Sequence, residues 1–229
     1  MANRIKLSIR AVLLFGFGGL LVTTVGITLT LGFVTATKNT LSLLAETASY
    51  MVDATTQAIT DDLQKYEDQA RWVSEAFLAH RVSVNDLIAL EDFLVGTIAA
   101  TEDIAGLGFI DQSDNIYQMS RNFPKLVHGK LDEGNYPFRN VQNQILTERG
   151  SFWDTPFWHY ESQQTIANLR TVIKVPTGGK ILFGQGVSIK SLSKRLLETK
   201  TWSKGTPFVL YDGKYVLAHP NLTVGVFKA

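Results

Sequence analysis

The sequence predicts an α+β chain in which one membrane-spanning helix continues into a long helix packed on an antiparallel sheet of about five strands, followed by the start of a second such domain. Three observations carry this. Of the 229 residues, the 27 from position 11 to 37 form a block without charge or proline. Residues 38–80 contain neither proline nor glycine, and apolar or small side chains recur there in steps of three and four. Beyond them, short apolar runs alternate with clusters of turn-favouring residues at 111–114, 176–179 and 212–213.

Composition narrows the field further. With 22 basic and 21 acidic residues the formal charge is +1, so net charge advertises no nucleic-acid surface, and basic side chains are not interleaved with aromatics. The absence of cysteine excludes a disulfide scaffold, thiolate catalysis and cysteine-ligated metal. Hydrophobic residues at 45% against 19% charged favour a folded domain over disorder.

Residues 1–10 form an N-terminal tail carrying Arg4, Lys6 and Arg10. The block 11–37 reaches about 40 Å as a helix, more than the ~30 Å hydrocarbon core requires, and is longer than the usual signal-peptide apolar region. The cations before it, with only Lys38 after it before Glu46, predict a cytoplasmic N-terminus and an extracytoplasmic remainder. In the long helix 38–82, Leu41, Leu44, Ala48, Val52, Thr55, Ile59, Leu63, Tyr66, Ala70, Val73 and Phe77 line one face. Such a stripe suits either packing on the chain's own domain or a parallel homodimer seam.

The main domain is expected over 83–200. Ser83 to Asn85 offer a cap for a helix over 86–98, where Leu87, Leu90, Leu94 and Ile98 share a face. The runs 104–110 and 115–120 around Asp-Gln-Ser-Asp read as a hairpin. Two prolines and two glycines make 123–148 read as a loop with a short helix at 141–146. Strands are predicted at 150–153, 168–175 and 180–189, the last two joined by Pro-Thr-Gly-Gly, and a Ser-capped helix at 191–199. The hairpin 208–219 around Asp-Gly repeats the form of the first, so 205–229 reads as the start of an incomplete second domain.

Common catalytic motifs are missing: no phosphate-binding loop, HExxH, GxSxG or calcium loop occurs. Gly178-Gly179 and Gly184-Gln-Gly186 are explained as a turn and a close-packed strand. The histidines, His80, His128, His159 and His219, are scattered; only His159, beside Asp154 and Glu161, has metal-ligating neighbours, and neither metal nor cofactor is expected. Residues 152–160, Phe-Trp-Asp-Thr-Pro-Phe-Trp-His-Tyr, hold five aromatics in nine positions. They suit either a core or a small-ligand pocket built from rings with polar handles. In the pocket reading Trp153, Trp158 and Tyr160 supply contact area while Tyr117, Arg121 and Arg170 supply donors for a small organic anion.

Several stretches resemble the double Cache sensor regions, PAS-like in fold, of bacterial membrane receptors: GFIDQSDNIYQMSR at 108–121, GSFWDTPFWHY at 150–160 and VIKVPTGGKILFGQGVSIKSLSKRL at 172–196. Residues 39–44 and 205–222 are similar to the sensor halves of bacterial class III adenylate/guanylate cyclases. The resemblance implies an inner-membrane receptor whose small ligand acts through a dimer on a cytoplasmic cyclase outside this chain. A chemoreceptor, histidine kinase or diguanylate cyclase output, or a ligand-free dimerisation spacer, are its alternatives. Amino-acid-binding members have an Arg two residues before a Trp-Tyr pair; here Arg149 precedes Trp153 by four and Phe152-Trp153 stands in that place. That motif is therefore not carried over.

Overall fold

A computed structural model of the chain describes residues 8–131, 140–160, 162–176, 178–198, 206 and 208–219. The chain divides into two compact units at Asp53/Ala54. Within the first unit lies the opening part of α1 (Ile9–Leu78), the one described helix long and apolar enough to cross a membrane. Its large apolar side chains, Phe15, Phe17, Leu20 and Phe33 among them, are exposed. The hydroxyls of Thr23, Thr24, Thr28 and Thr30 donate to the carbonyls of Gly19, Leu20, Thr24 and Gly26 at 2.7–2.8 Å. Each of these four hydroxyls is thereby satisfied inside the helix.

In the second unit α1 keeps its three- and four-residue steps, and Tyr66, Ala70, Val73 and Phe77 are buried, with Ile59 and Leu63 packed at the margin. It ends at Leu78, earlier than the expected 82. His80 takes the left-handed conformation (φ 57°), Arg81 N–H reaches Ala76 O at 2.9 Å and His80 N–H reaches Phe77 O at 3.1 Å. This is a Schellman stop made without glycine. The helix α2 (Leu87–Ala99) is capped by Asp86, whose Oδ1 accepts from Ala89 N–H at 3.1 Å, while Ser83 Oγ braces the preceding turn through Asn85 N–H. The cap therefore sits one residue beyond the expected one.

Six strands form the main sheet rather than about five: β1 (Ile104–Asp111), β2 (Asn115–Ser120), β3 (Phe123–Lys130), β4 (Gly150–His159), β5 (Gln164–Lys174) and β6 (Lys180–Ser188). All neighbours pair antiparallel in the order β3-β2-β1-β6-β5-β4. The additional strand is β3, in the stretch read as loop; it is an edge strand with almost every side chain exposed, a position that tolerates Pro124. Strand β4 runs on to His159 past a register irregularity between Asp154 and Phe157, where Thr155 and Pro156 sit. The first hairpin turns as expected, with Asp111 Oδ1 accepting from Ser113 and Asn115 N–H at 2.8 and 2.9 Å.

One sheet face carries the main core. Leu107, Phe109, Leu169, Ile173, Phe183 and Val187 meet the second-unit part of α1, α2 and the helix α4 (Ile189–Glu198). That last helix starts two residues before the expected one, and Ser188 Oγ accepts from Ser191 N–H at 3.2 Å. On the other face α3 (Val141–Thr147) sets Val141 and Ile145 against Ile110, Val172 and Leu182. Strands β7 (Val209–Tyr211) and β8 (Tyr215–Ala218) pair as a separate hairpin, with Asp212 and Gly213 at positive φ and with Leu217 and Ala218 in the main core. The rest of the expected second domain, residues 205, 207 and 220–229, lies outside the described residues.

A charged cluster ties α1 to the start of β1 and to α4. Asp103 Oδ2 accepts from Lys65 Nζ at 2.9 Å, from the Tyr66 hydroxyl at 3.1 Å and from Arg195, while Asp62 Oδ1 holds Lys65 at 2.8 Å and also Arg195. Burial works to raise the Asp103 pKa, but the hydrogen bond and charge of Lys65, with Arg195 beyond, outweigh it and hold the carboxyl below its ordinary value. Burial, reinforced by the charges of Asp103 and Asp62, pushes the Tyr66 phenol far upward, so it is a fixed donor at any physiological pH.

Candidate functional site

Strand alternation puts every second residue on the face opposite the main core. On the two central strands those residues are glycines: Gly106 pairs with Gly186 and Gly108 with Gly184. The result is a square of bare backbone in the middle of the sheet. Arg170 pairs with Gly184 and Asn168 with Gly186 along one side, and Gln118 pairs with Gly108 on the other. Ile110, Ile116 and Leu182 close one end, and Ile166 with Phe157, Trp158, His159 and Tyr160 form the remaining wall. The cavity, open on one side, measures about 350 Å³, within the usual size range of small-molecule sites.

The polar groups of this cavity are held in place. Arg170 is only 3% exposed. Its Nη1 pairs with Asp154 Oδ2 at 2.9 Å and donates to Gln144 Oε1, and Gln144 Nε2 donates to the same Asp154 oxygen at 3.1 Å. With its amide oxygen turned inward, Asn168 accepts from Arg170 Nε at 2.9 Å and Nη2 at 3.2 Å. The guanidinium is thus charge-balanced and fixed in plane, and α3 contributes to holding it. Lys180 Nζ in turn satisfies the Ile145 and Leu146 carbonyls of α3, each at 3.1 Å. His159 Nδ1 accepts from Ser162 N–H at 3.3 Å and lies 2.7 Å from Ser162 Oγ. A backbone N–H only donates, so a neutral His159 ring carries its proton on Nε2 and is a donor there.

Of the residues expected to build a pocket, the structure brings Arg170 and Tyr160 to the cavity, and Trp158 lies along its lining at a strand position that alternates to the other face, paired with Thr165 between Phe157 and His159. Tyr160 stands at its rim, 77% exposed. Three others lie elsewhere. Tyr117 pairs with Phe109 and points with it into the main core, where burial, with the charge of Asp111, raises its phenol pKa. Trp153 pairs with Leu169 on that same face, meets Tyr66 edge to face, and donates from Nε1 to Glu67 at 3.0 Å. The donors of Arg121 go to the backbone carbonyls of Ile98, Thr101 and Ile104, the last at 2.8 Å, so it staples the α2–β1 connection. Not foreseen were the glycine floor, Asn168, Gln118, and the Gln144–Asp154 clamp on Arg170. The pairing of two Gly-X-Gly stretches, 106–108 and 184–186, was the available signal. Among the described residues no three His, Asp or Glu side chains are grouped as a metal site, and Glu161 lies outside those residues.

No family model matches this sequence, and no curated protein does either. Solved structures do match. The sensory domain of the Campylobacter jejuni chemoreceptor Tlp3 superposes with TM-score 0.61 at 11% identity, over 75% of this chain and 70% of that one. The fold is that of the Cache-like sensory domains. The ligand-binding domain of the Pseudomonas fluorescens chemoreceptor CtaA gives 0.55 at 18% identity, over 75% of this chain and 66% of that one. An extracellular domain ascribed to a histidine kinase, mmHK1S-Z3, gives 0.53 at 13%, over 72% and 66%. Chemoreceptor and kinase sensors thus share this architecture.

Proposed function

We propose that this chain is the ligand-sensing region of a bacterial membrane receptor, anchored by residues 11–37 with its N-terminus in the cytoplasm and residues 38–229 outside. The observation that carries the reading is the glycine-floored cavity beside a buried, clamped Arg170. Packing does not explain the whole of this bare floor, because at Gly184 no neighbouring atom lies within 4 Å of where a Cβ would stand. Ligand chemistry follows from the charge balance. Because Asp154 already neutralises Arg170, the site favours a carboxylate that arrives with its own positive group over a bare organic anion. The apolar end at Ile110, Ile116 and Leu182 suits a short aliphatic body. Small aliphatic amino acids fit both demands, and the structural neighbours support that class: Tlp3 is described with 4-methylisoleucine and L-valine, and CtaA with L-isoleucine. Exposed Leu41, Leu44 and Val52 on α1 support the homodimer expected from the helical stripe. A nucleotide-cyclase output rests on the sequence resemblance at 39–44 and 205–222, and is tested by cyclic-nucleotide levels in cells given the ligand.

The direct test is calorimetry and thermal shift on the full chain in detergent with L-valine, L-isoleucine and their deaminated acids. Replacing Arg170 by Ala should weaken binding by about 1.5–3 kcal/mol, the scale of a hydrogen bond to a charged group, and Lys should restore only part. Absence of binding by the whole series refutes the amino-acid class, and binding indifferent to Arg170→Ala in a folded variant refutes the assignment of this site.

A further inference from the structure

The four floor glycines are not equivalent. A Cβ added to Gly108 would lie 2.5 Å from the Tyr117 carbonyl oxygen, one on Gly106 3.2 Å from the Met119 carbonyl oxygen, and one on Gly186 2.4 Å from Ile166 Cδ1. Neighbouring atoms account for these three. Around a Cβ on Gly184 nothing lies within 4 Å, and its φ is not in the left-handed region. Glycine in the middle of a strand is unfavourable, because it orders a flexible backbone without a side chain to pack. Gly184 is nevertheless the cross-strand partner of both Arg170 and Gly108, and it lines the cavity.

We infer that Gly184 is a specificity-determining position: the space above its Cα belongs to the ligand, and the missing side chain sets how bulky a group is accepted beside Arg170. The inference rests on the proposal that this cavity binds a small molecule. A ligand group laid on bare backbone contacts it at ordinary van der Waals distance, about 3.5–4 Å between carbons. A methyl at this position takes that place, and a leucine side chain occupies more of the volume. Position 184 therefore discriminates by the girth of the aliphatic body, while Arg170 and Asn168 read the polar end.

The chain has no cysteine, so Gly184→Cys in the full chain in detergent introduces a single thiol. Methyl and benzyl methanethiosulfonate should both label it, and both adducts should melt within a few degrees of the parent. Gly184→Ala should melt at or above the parent, whereas Gly108→Ala should lose several degrees. L-isoleucine at saturation should slow labelling at least tenfold. Gly184→Leu should weaken L-isoleucine at least tenfold while changing L-alanine less than threefold. A thiol that does not react, adducts that unfold the chain, or Gly184→Ala as damaging as Gly108→Ala would each show that the space does not exist and overturn the inference. Unchanged L-isoleucine affinity in Gly184→Leu overturns it too, while leaving the sensor reading intact. If no amino acid binds the parent, the ligand class proposed above falls. The benzyl adduct then decides alone: tolerated, it supports ligand space above position 184, and not tolerated, it refutes it.

Discussion

Removing the carboxylate of Asp103 tests how the second-unit part of α1 is tied to the sheet domain. In Asp103→Ala the Tyr66 hydroxyl, on a side chain with no exposed surface, loses its acceptor. An unsatisfied buried hydroxyl costs about 1–3 kcal/mol. Lys65 and Arg195 also lose a partner, but their side chains are 32% and 44% exposed and Asp62 still holds both, so each loss is worth about 0–1 kcal/mol. The sum is about 1–5 kcal/mol, or a melting temperature lower by about 2–20 °C for a domain of this size. The pH dependence has a definite sign. The folded-state pKa of Asp103 lies below the ordinary carboxylate value, so its ionic contribution is complete above the unfolded pKa near 4 and is lost as pH falls through the folded value. The gap between parent and variant, followed by circular dichroism melts, should be constant from pH 7 to pH 5 and narrow below about pH 4. A variant melting within about 1 °C of the parent, or a gap that widens on acidification, refutes the account.

Arg121→Ala strips the Ile98, Thr101 and Ile104 carbonyls of a charged donor and should cost about 2–4 kcal/mol in melting experiments, leaving ligand affinity unchanged because this side chain is engaged away from the cavity. A phosphatase reporter fused after Ala36 should be active outside the cytoplasm, and a fluorescent reporter fused before Arg10 should be active inside; the opposite pattern refutes the orientation read from Arg4, Lys6 and Arg10.

Elements that bury one face were legible in the sequence. The steps Tyr66, Ala70, Val73, Phe77 and Leu90, Leu94, Ile98 report burial directly, and all seven are buried. Strand β3 was not legible because it is an exposed edge: with no buried alternation, Pro124 and Gly129 dominated its reading. The site was half legible for a different reason. Ring chemistry marks residues 152–160 as unusual, but which face each ring takes depends on register, and β4 changes register between Asp154 and Phe157. Phe157 and His159 therefore take the cavity face while Trp158, paired with Thr165, alternates away from it, and Tyr117 joins Trp153 in the core. The floor escaped because a glycine signals nothing about its neighbour across a ladder: Gly184 and Gly186 suggested close packing, and only their pairing with Gly106 and Gly108 reveals a cavity.

The strand order has a consequence for how the chain assembles. The main sheet consists of two antiparallel meanders, β1-β2-β3 and β4-β5-β6, each closed by turns of a few residues, which form with little loss of loop entropy. They are joined only along β1 and β6, whose facing ends, Asp111 and Ile181, are separated by everything between the two hairpin turns. This ladder is the non-local step of sheet formation, the kind that topology makes slow. It is also the ladder whose glycines floor the cavity. Neither meander alone contains the cavity floor, so the cavity exists only when the halves have zipped together.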